Sequence, residues 1–107
     1  MSILEDLQQT IAANPVILFM KGTPQAPQCG FSKTASQILK DSGVQFATVD
    51  VLANPAIRAT LPSYSNWPTF PQLFINNELV GGCDILIELH QDGQLQKMLE
   101  TACNEVN

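Results

Sequence analysis

The sequence predicts an α/β fold, a four-stranded mixed sheet with helices on both faces. Three observations carry that expectation. The elements alternate along the chain in the order α-β-α-β-α-β-β-α-α. Val16–Met20 is an unbroken β-branched and apolar run, the pattern of a central strand covered on both sides. Two stretches, Gln72–Ile75 and Glu78–Val80, flank Asn76-Asn77 and read as a hairpin with a tight turn. Two parallel strands joined by a helix and followed by a hairpin close such a sheet.

Each element has a local reason. Ser2 and Glu5 have the spacing of a capping box, and Leu4, Leu7 and Ile11 recur at helical spacing, so a first helix ends near Ala13, before Asn14-Pro15. After Val16–Met20 comes a loop rich in breakers, Gly22 to Gln28. Phe31, Ala35, Ile38 and Leu39 then mark one face of a helix that stops at Gly43. Val44–Val51 reads as the second strand. Asn54-Pro55 reads as an N-cap with proline at the first helical position, opening a short helix through Leu61. Asp84 can cap a helix running to Gly93, and Leu95, Met98, Leu99 and Ala102 describe a last amphipathic helix.

Composition narrows the function. The chain has 107 residues, the length of one domain spanning 1–107. At that size folding buries roughly 60–70% of the unfolded surface, so no disulfide is needed. A net charge of -5 argues against a nucleic-acid partner, which would call for clustered cations. The acidic N-terminal stretch, Ser2-Ile3-Leu4-Glu5-Asp6, has no basic leader, and no apolar run is long enough to span a bilayer. A soluble protein of a reducing, cytoplasmic compartment is expected. Three cysteines cannot form a fully paired framework, so at least one is free, ligated or joined to another molecule.

Cys29 carries the most chemical information. It stands at the end of a Pro/Gly loop, immediately before a helix, where backbone N–H groups favour an anion. A cysteine there has a lowered pKa, and Lys21 can add positive charge from across the loop. The competing reading is an inert core thiol, which a polar loop-to-helix junction disfavours. Ser32 stands where a dithiol motif would place its second cysteine, so no local disulfide can close. Pro71, in Trp67-Pro68-Thr69-Phe70-Pro71-Gln72, reads equally as a cis proline or an ordinary edge-strand proline. The cis form would leave the Phe70 backbone open to a ligand's peptide group. Gly81-Gly82-Cys83-Asp84 permits close approach to the backbone, with Asp84 able to cap a helix and accept from an ammonium. Arg58, one of five cations, is either a carboxylate partner or a solvated surface charge. Together Lys21 and Arg58 suit a carboxylate, Phe70 a peptide backbone, Asp84 an ammonium and Cys29 a thiol. Cys103 reads as core filler, His90 as a partner of a helix C-terminus, and Trp67 as core or partner surface.

Lys21-Gly22-Thr23-Pro24, Cys29-Gly30-Phe31-Ser32, Trp67-Pro68-Thr69-Phe70-Pro71-Gln72 and Gly81-Gly82-Cys83-Asp84 resemble, in order and spacing, the monothiol, CGFS-type glutaredoxins, in their short single-domain branch. The resemblance implies the thioredoxin fold, glutathione binding, and a 2Fe–2S cluster shared between two subunits. It implies Cys29 as the cluster ligand and Lys21, Arg58, Phe70, Pro71, Cys83 and Asp84 as glutathione contacts. Cluster storage or transfer and iron and redox homeostasis follow as the expected role, with a homodimer, BolA-like proteins and iron–sulfur acceptors as partners. A 2Fe–2S cluster takes four ligands, usually thiolates; two subunits and two glutathiones would supply them. Two alternatives stand beside this one. Cys29 could remove glutathione from mixed disulfides, or it could pair with Cys83 as a redox sensor.

Overall fold

The computed structural model describes residues 2–105. Helix α1 (Ile3–Ala13) is capped as its sequence dictates: the Ser2 hydroxyl accepts the Glu5 N–H at 3.0 Å. It buries Leu7 and Ile11 and leaves Leu4 at the surface. Strand β1 (Val16–Met20) is buried throughout. The breaker-rich loop after it folds into a small antiparallel ribbon, β2 (Gly22–Thr23) with β3 (Ala26–Pro27), which the sequence reading did not include. Gly22 is required at its root. It adopts φ +90°, and a Cβ there would lie 2.5 Å from the Ala26 carbonyl oxygen and 2.8 Å from the Gln28 nitrogen.

Helix α2 (Gly30–Ser42) ends at Gly43, in the left-handed conformation. Strand β4 (Ala47–Asp50) is shorter than the expected 44–51, and α3 (Pro55–Ser65) is longer than the expected helix through Leu61. Pro62 lies inside α3 without ending it; the helix stops at Asn66, whose φ of 56° is left-handed. Asn54 is the N-cap of α3, as expected, but makes no side-chain cap hydrogen bond; its amide donates to the Asp50 carbonyl at 2.9 Å. Strands β5 (Gln72–Ile75) and β6 (Glu78–Gly81) form the expected hairpin, with Asn76 and Asn77 both at positive φ, as a type I′ turn requires. Helices α4 (Cys83–Gln91) and α5 (Gln94–Glu105) complete the chain. Gly82, not Asp84, is the N-cap of α4; Asp84 lies within the first turn, where its negative charge still suits the helix dipole.

The sheet order is β4-β1-β5-β6, so β1 is central as its composition required. Alternate residues of β1 face opposite sides. Val16, Leu18 and Met20 pack with Ala35 and Leu39 of α2, Leu86 of α4 and Leu95 and Leu99 of α5. Ile17 and Phe19 pack with Leu7 and Ile11 of α1 and Leu61 of α3. Phe19 meets Phe74 edge to face, with ring centroids 5.7 Å apart. Burying a side chain of this kind contributes about 1.5–3 kcal/mol, so these two layers dominate the stability of the sheet.

Strand register then gathers four separated segments at one end. Met20 is level with Asp50, which brings the end of β1 beside the turn into α3. Phe19 is level with Gln72, so Lys21 emerges next to Phe70-Pro71. Leu73 is level with Gly81, which adds the turn from β6 into α4. Among the described residues no helix is long and apolar enough to cross a membrane.

Candidate functional site

At that end of the sheet lies a groove of about 450 Å³. Lys21, Arg58, Phe70, Pro71, Cys83 and Asp84, all singled out from sequence, line it together. Cys29 stands outside the lining but close by, since its charge acts on Cys83. The Phe70–Pro71 peptide is cis, which resolves the two readings of Pro71. Phe70 itself lies ahead of the sheet ladder, whose pairing with β1 runs from Gln72 onward.

Cys29 is the N-cap of α2 and is partly exposed. Partial burial alone would raise its thiol. The Ser32 hydroxyl, the Ser32 and Phe31 N–H groups and the Lys21 charge outweigh that effect and hold the thiol below its ordinary value. The Ser32 N–H donates to the sulfur at 3.3 Å. Ser32 is fully buried, and its oxygen accepts the Lys21 N–H at 3.0 Å. The residue in the place of a second cysteine is therefore both a support for the first and a link to Lys21.

Cys83 behaves in the opposite way. Burial raises its thiol, and the charges of Asp84 and Cys29 raise it further. Both thiols are free. The site thus holds one activated sulfur at its edge and one suppressed sulfur in its wall.

Several residues of the groove were not read from the sequence. Phe31 was assigned to the buried face of α2 by its spacing, yet it is 64% exposed and lines the groove, while Ala35, Ile38 and Leu39 carry the buried face. It falls in the first turn of the helix, beside Cys29. Pro62 is another such residue; Trp67, Pro68, Thr69 and Gly82, which belong to motifs already noted in the sequence, complete the lining. Trp67 is half-buried, with its indole N–H enclosed and without a hydrogen-bond partner. A Cβ on Gly82 would lie 3.1 Å from that indole nitrogen and 3.2 Å from the Pro71 carbonyl oxygen, so glycine there sets the groove's depth. Gln72, fully buried, holds the wall by donating to the Trp67 and Thr69 carbonyls at 2.9 and 3.1 Å. The glycine pair beside Cys83 hinted at close packing; no sequence signal pointed to Gln72. Away from the groove, Cys103 packs against the core and His90 sits exposed in the last turn of α4.

A family model described as glutaredoxin matches residues 16–80. The chain belongs to the glutaredoxin family. It is 58% identical over 100 residues to glutaredoxin 4 of Escherichia coli (strain K12), covering 92% of this chain and 87% of that protein. The reduced apo form of poplar GrxS14 in solution matches with a TM-score of 0.82 at 46% identity, covering 95% of this chain and 94% of that one. A buckwheat glutaredoxin in complex with glutathione matches with a TM-score of 0.81 at 29% identity, covering 92% and 88%. The glutaredoxin carries Cys29-Gly30-Phe31-Ser32, the monothiol arrangement, on the thioredoxin fold.

Proposed function

We propose that this glutaredoxin binds glutathione in the groove and, as a cluster-bridged pair of chains, carries a 2Fe–2S cluster for storage or transfer. One observation supports the reading most: Lys21, Arg58, Phe70 and Asp84 converge beside an activated Cys29 that has a serine, not a cysteine, three residues on. Lys21 and Arg58 would take the glycine carboxylate, Phe70 and Pro71 the peptide backbone, and Asp84 with the turn at Cys83 the γ-glutamyl end. That orientation directs the ligand's thiol toward Cys29. The glutathione complex of a buckwheat relative lends the ligand further support.

The donor set fits a shared cluster. Among the described residues no group of three or more His, Cys, Asp or Glu side chains gathers to hold a metal ion. Of the two thiols at the site, Cys29 is the one held toward the thiolate, so each chain would contribute that ligand. A second chain and two glutathiones would bring the number to four, the usual count for a 2Fe–2S centre. The cluster is cargo in this reading, since two of its ligands would be exchangeable small molecules. The partners we infer are a second copy of this chain, a BolA-like protein and iron–sulfur acceptors in a reducing, cytoplasmic setting.

Anaerobic reconstitution with iron, sulfide and glutathione, followed by absorbance and size measurement, tests this. A brown, glutathione-dependent dimer lost on Cys29→Ser is the expected result; a colourless monomer with intact thiols overturns it.

The low thiol of Cys29 also favours a second reading. Its thiolate would attack the glutathione sulfur of a mixed disulfide and release the protein thiol. A second glutathione thiolate would then free Cys29 as glutathione disulfide forms. A glutathione-coupled reduction assay separates the two, with robust turnover favouring the second.

A further inference from the structure

Lys21 and Arg58 reach the groove from different elements, and one side chain outside the groove ties those elements together. Asp50 ends β4, level with Met20 at the end of β1. Its Oδ1 accepts the Gly22 N–H at 2.9 Å, one residue beyond Lys21. The same oxygen accepts the Leu52 N–H at 2.9 Å, in the turn that leads to α3. The Asp50 carbonyl accepts the Asn54 side-chain amide at 2.9 Å, and the Asn54 carbonyl accepts the Arg58 N–H at 3.1 Å. A continuous chain of hydrogen bonds thus runs from the residue after Lys21 to the backbone of Arg58.

The parts joined are stiff. Gly22 adopts positive φ in a turn with no room for a Cβ, and the Gln28 N–H donates to the Lys21 carbonyl at 2.9 Å. Val51 donates to Met20 at 2.9 Å across the ladder's end. A carboxylate oxygen receiving two N–H donors makes charge-assisted bonds, stronger than those of a neutral acceptor. Moving that oxygen would shift the two backbones relative to one another.

We propose that Asp50 is a positioning residue that sets the spacing of Lys21 and Arg58, and so the fit of a ligand carboxylate between them. The proposal rests on the glutathione reading given above. Asp50 does not line the groove, so it acts through the two cations.

Calorimetric titration with reduced glutathione and with its glycine ethyl ester tests this on the full chain. In the unaltered protein, esterification should weaken binding by at least about tenfold, because it removes the charge that both cations face. Absence of that penalty overturns the glutathione-carboxylate reading, and the proposal with it. With the penalty present, Asp50→Ala should weaken glutathione about tenfold and shrink the ester penalty to about threefold or less. Asp50→Asn, which keeps an acceptor at Oδ1, should stay within about threefold of the unaltered protein. Asp50→Glu keeps the charge but displaces the oxygen by a methylene, and should lose affinity about fivefold with a reduced ester penalty; it serves as the deciding variant if Asp50→Ala fails to fold. An undiminished ester penalty in folded Asp50→Ala or in Asp50→Glu overturns the proposal while leaving the glutathione reading intact. So does an equal loss in Asp50→Asn and Asp50→Ala, which would assign the effect to charge rather than to placement.

Discussion

Ser32 faces Cys29 with two donors: its N–H reaches the sulfur at 3.3 Å, and its buried hydroxyl stabilises the thiolate while accepting the Lys21 N–H at 3.0 Å. The serine of the monothiol arrangement is thereby a working part of the site. Replacing a resolving cysteine with this group removes the local disulfide and keeps the thiolate.

Ser32→Ala should therefore raise the Cys29 thiol toward its ordinary value and leave the Lys21 N–H without its acceptor. Stability should fall by about 1–3 kcal/mol, the cost of an unpaired buried polar group. Urea denaturation reads the second effect, and the pH dependence of Cys29 alkylation reads the first. An unchanged alkylation profile in a folded variant would show that Ser32 does not tune the sulfur.

The two thiols should be shifted in opposite directions from the ordinary value. Only the thiolate alkylates, so a lowered thiol reacts at lower pH and a raised one waits for higher pH. As pH rises, Cys29 should become reactive before an unfolded-chain cysteine does, and Cys83 after it. Iodoacetamide labelling at successive pH values, read by peptide mass spectrometry, checks the order. The same measurement after mild oxidation tests the Cys29–Cys83 sensor: glutathione adducts alone would reject it.

Lys21→Ala and Arg58→Ala should each weaken glutathione by about tenfold, the scale of one charge-assisted contact. The loss should shrink as salt rises, because both partly exposed charges are screened. Titration calorimetry at low and high ionic strength measures both effects. Binding insensitive to either change would remove the cations from the site.

Two glycine substitutions should differ in how much they cost in stability. Gly22→Ala forces a Cβ onto the Ala26 carbonyl at positive φ and should cost about 1–3 kcal/mol in stability. Gly82→Ala crowds Trp67 and the Pro71 carbonyl less severely, so its main effect should be a shallower groove and weaker glutathione. Thermal melting beside titration distinguishes them; a Gly82→Ala protein that melts far below the parent yet binds normally would contradict this division.

Much of the fold was legible because its signals are local. The apolar run of Val16–Met20, the capping serine at Ser2, Gly43 and the Asn76-Asn77 turn act through their own backbone and neighbours. Departures came where more than residue type and spacing decided. Asn54 is the N-cap of α3 as expected, but it makes no side-chain cap hydrogen bond. Phe31 had the spacing of a core residue, but it lies exposed in the first turn of α2 and lines the groove. Asp84 had the chemistry of a cap, but Gly82 already occupied that place.

For the site, the sequence by itself determined which chemical groups are present: one cysteine at a helix start without a second at position 32, two cations, an acidic turn and a proline that could be cis. These are properties of residue type and short spacing. Only the tertiary structure decided that they meet, because the register of β1 with β4 and β5, and of β5 with β6, brings residues 21, 58, 70 and 84 to one groove. The lowered Cys29 thiol was foreseeable from its place at a helix start, because Ser32 and Phe31 are its close neighbours in the chain; the raised Cys83 thiol was not, since it follows from burial and from the approach of Cys29.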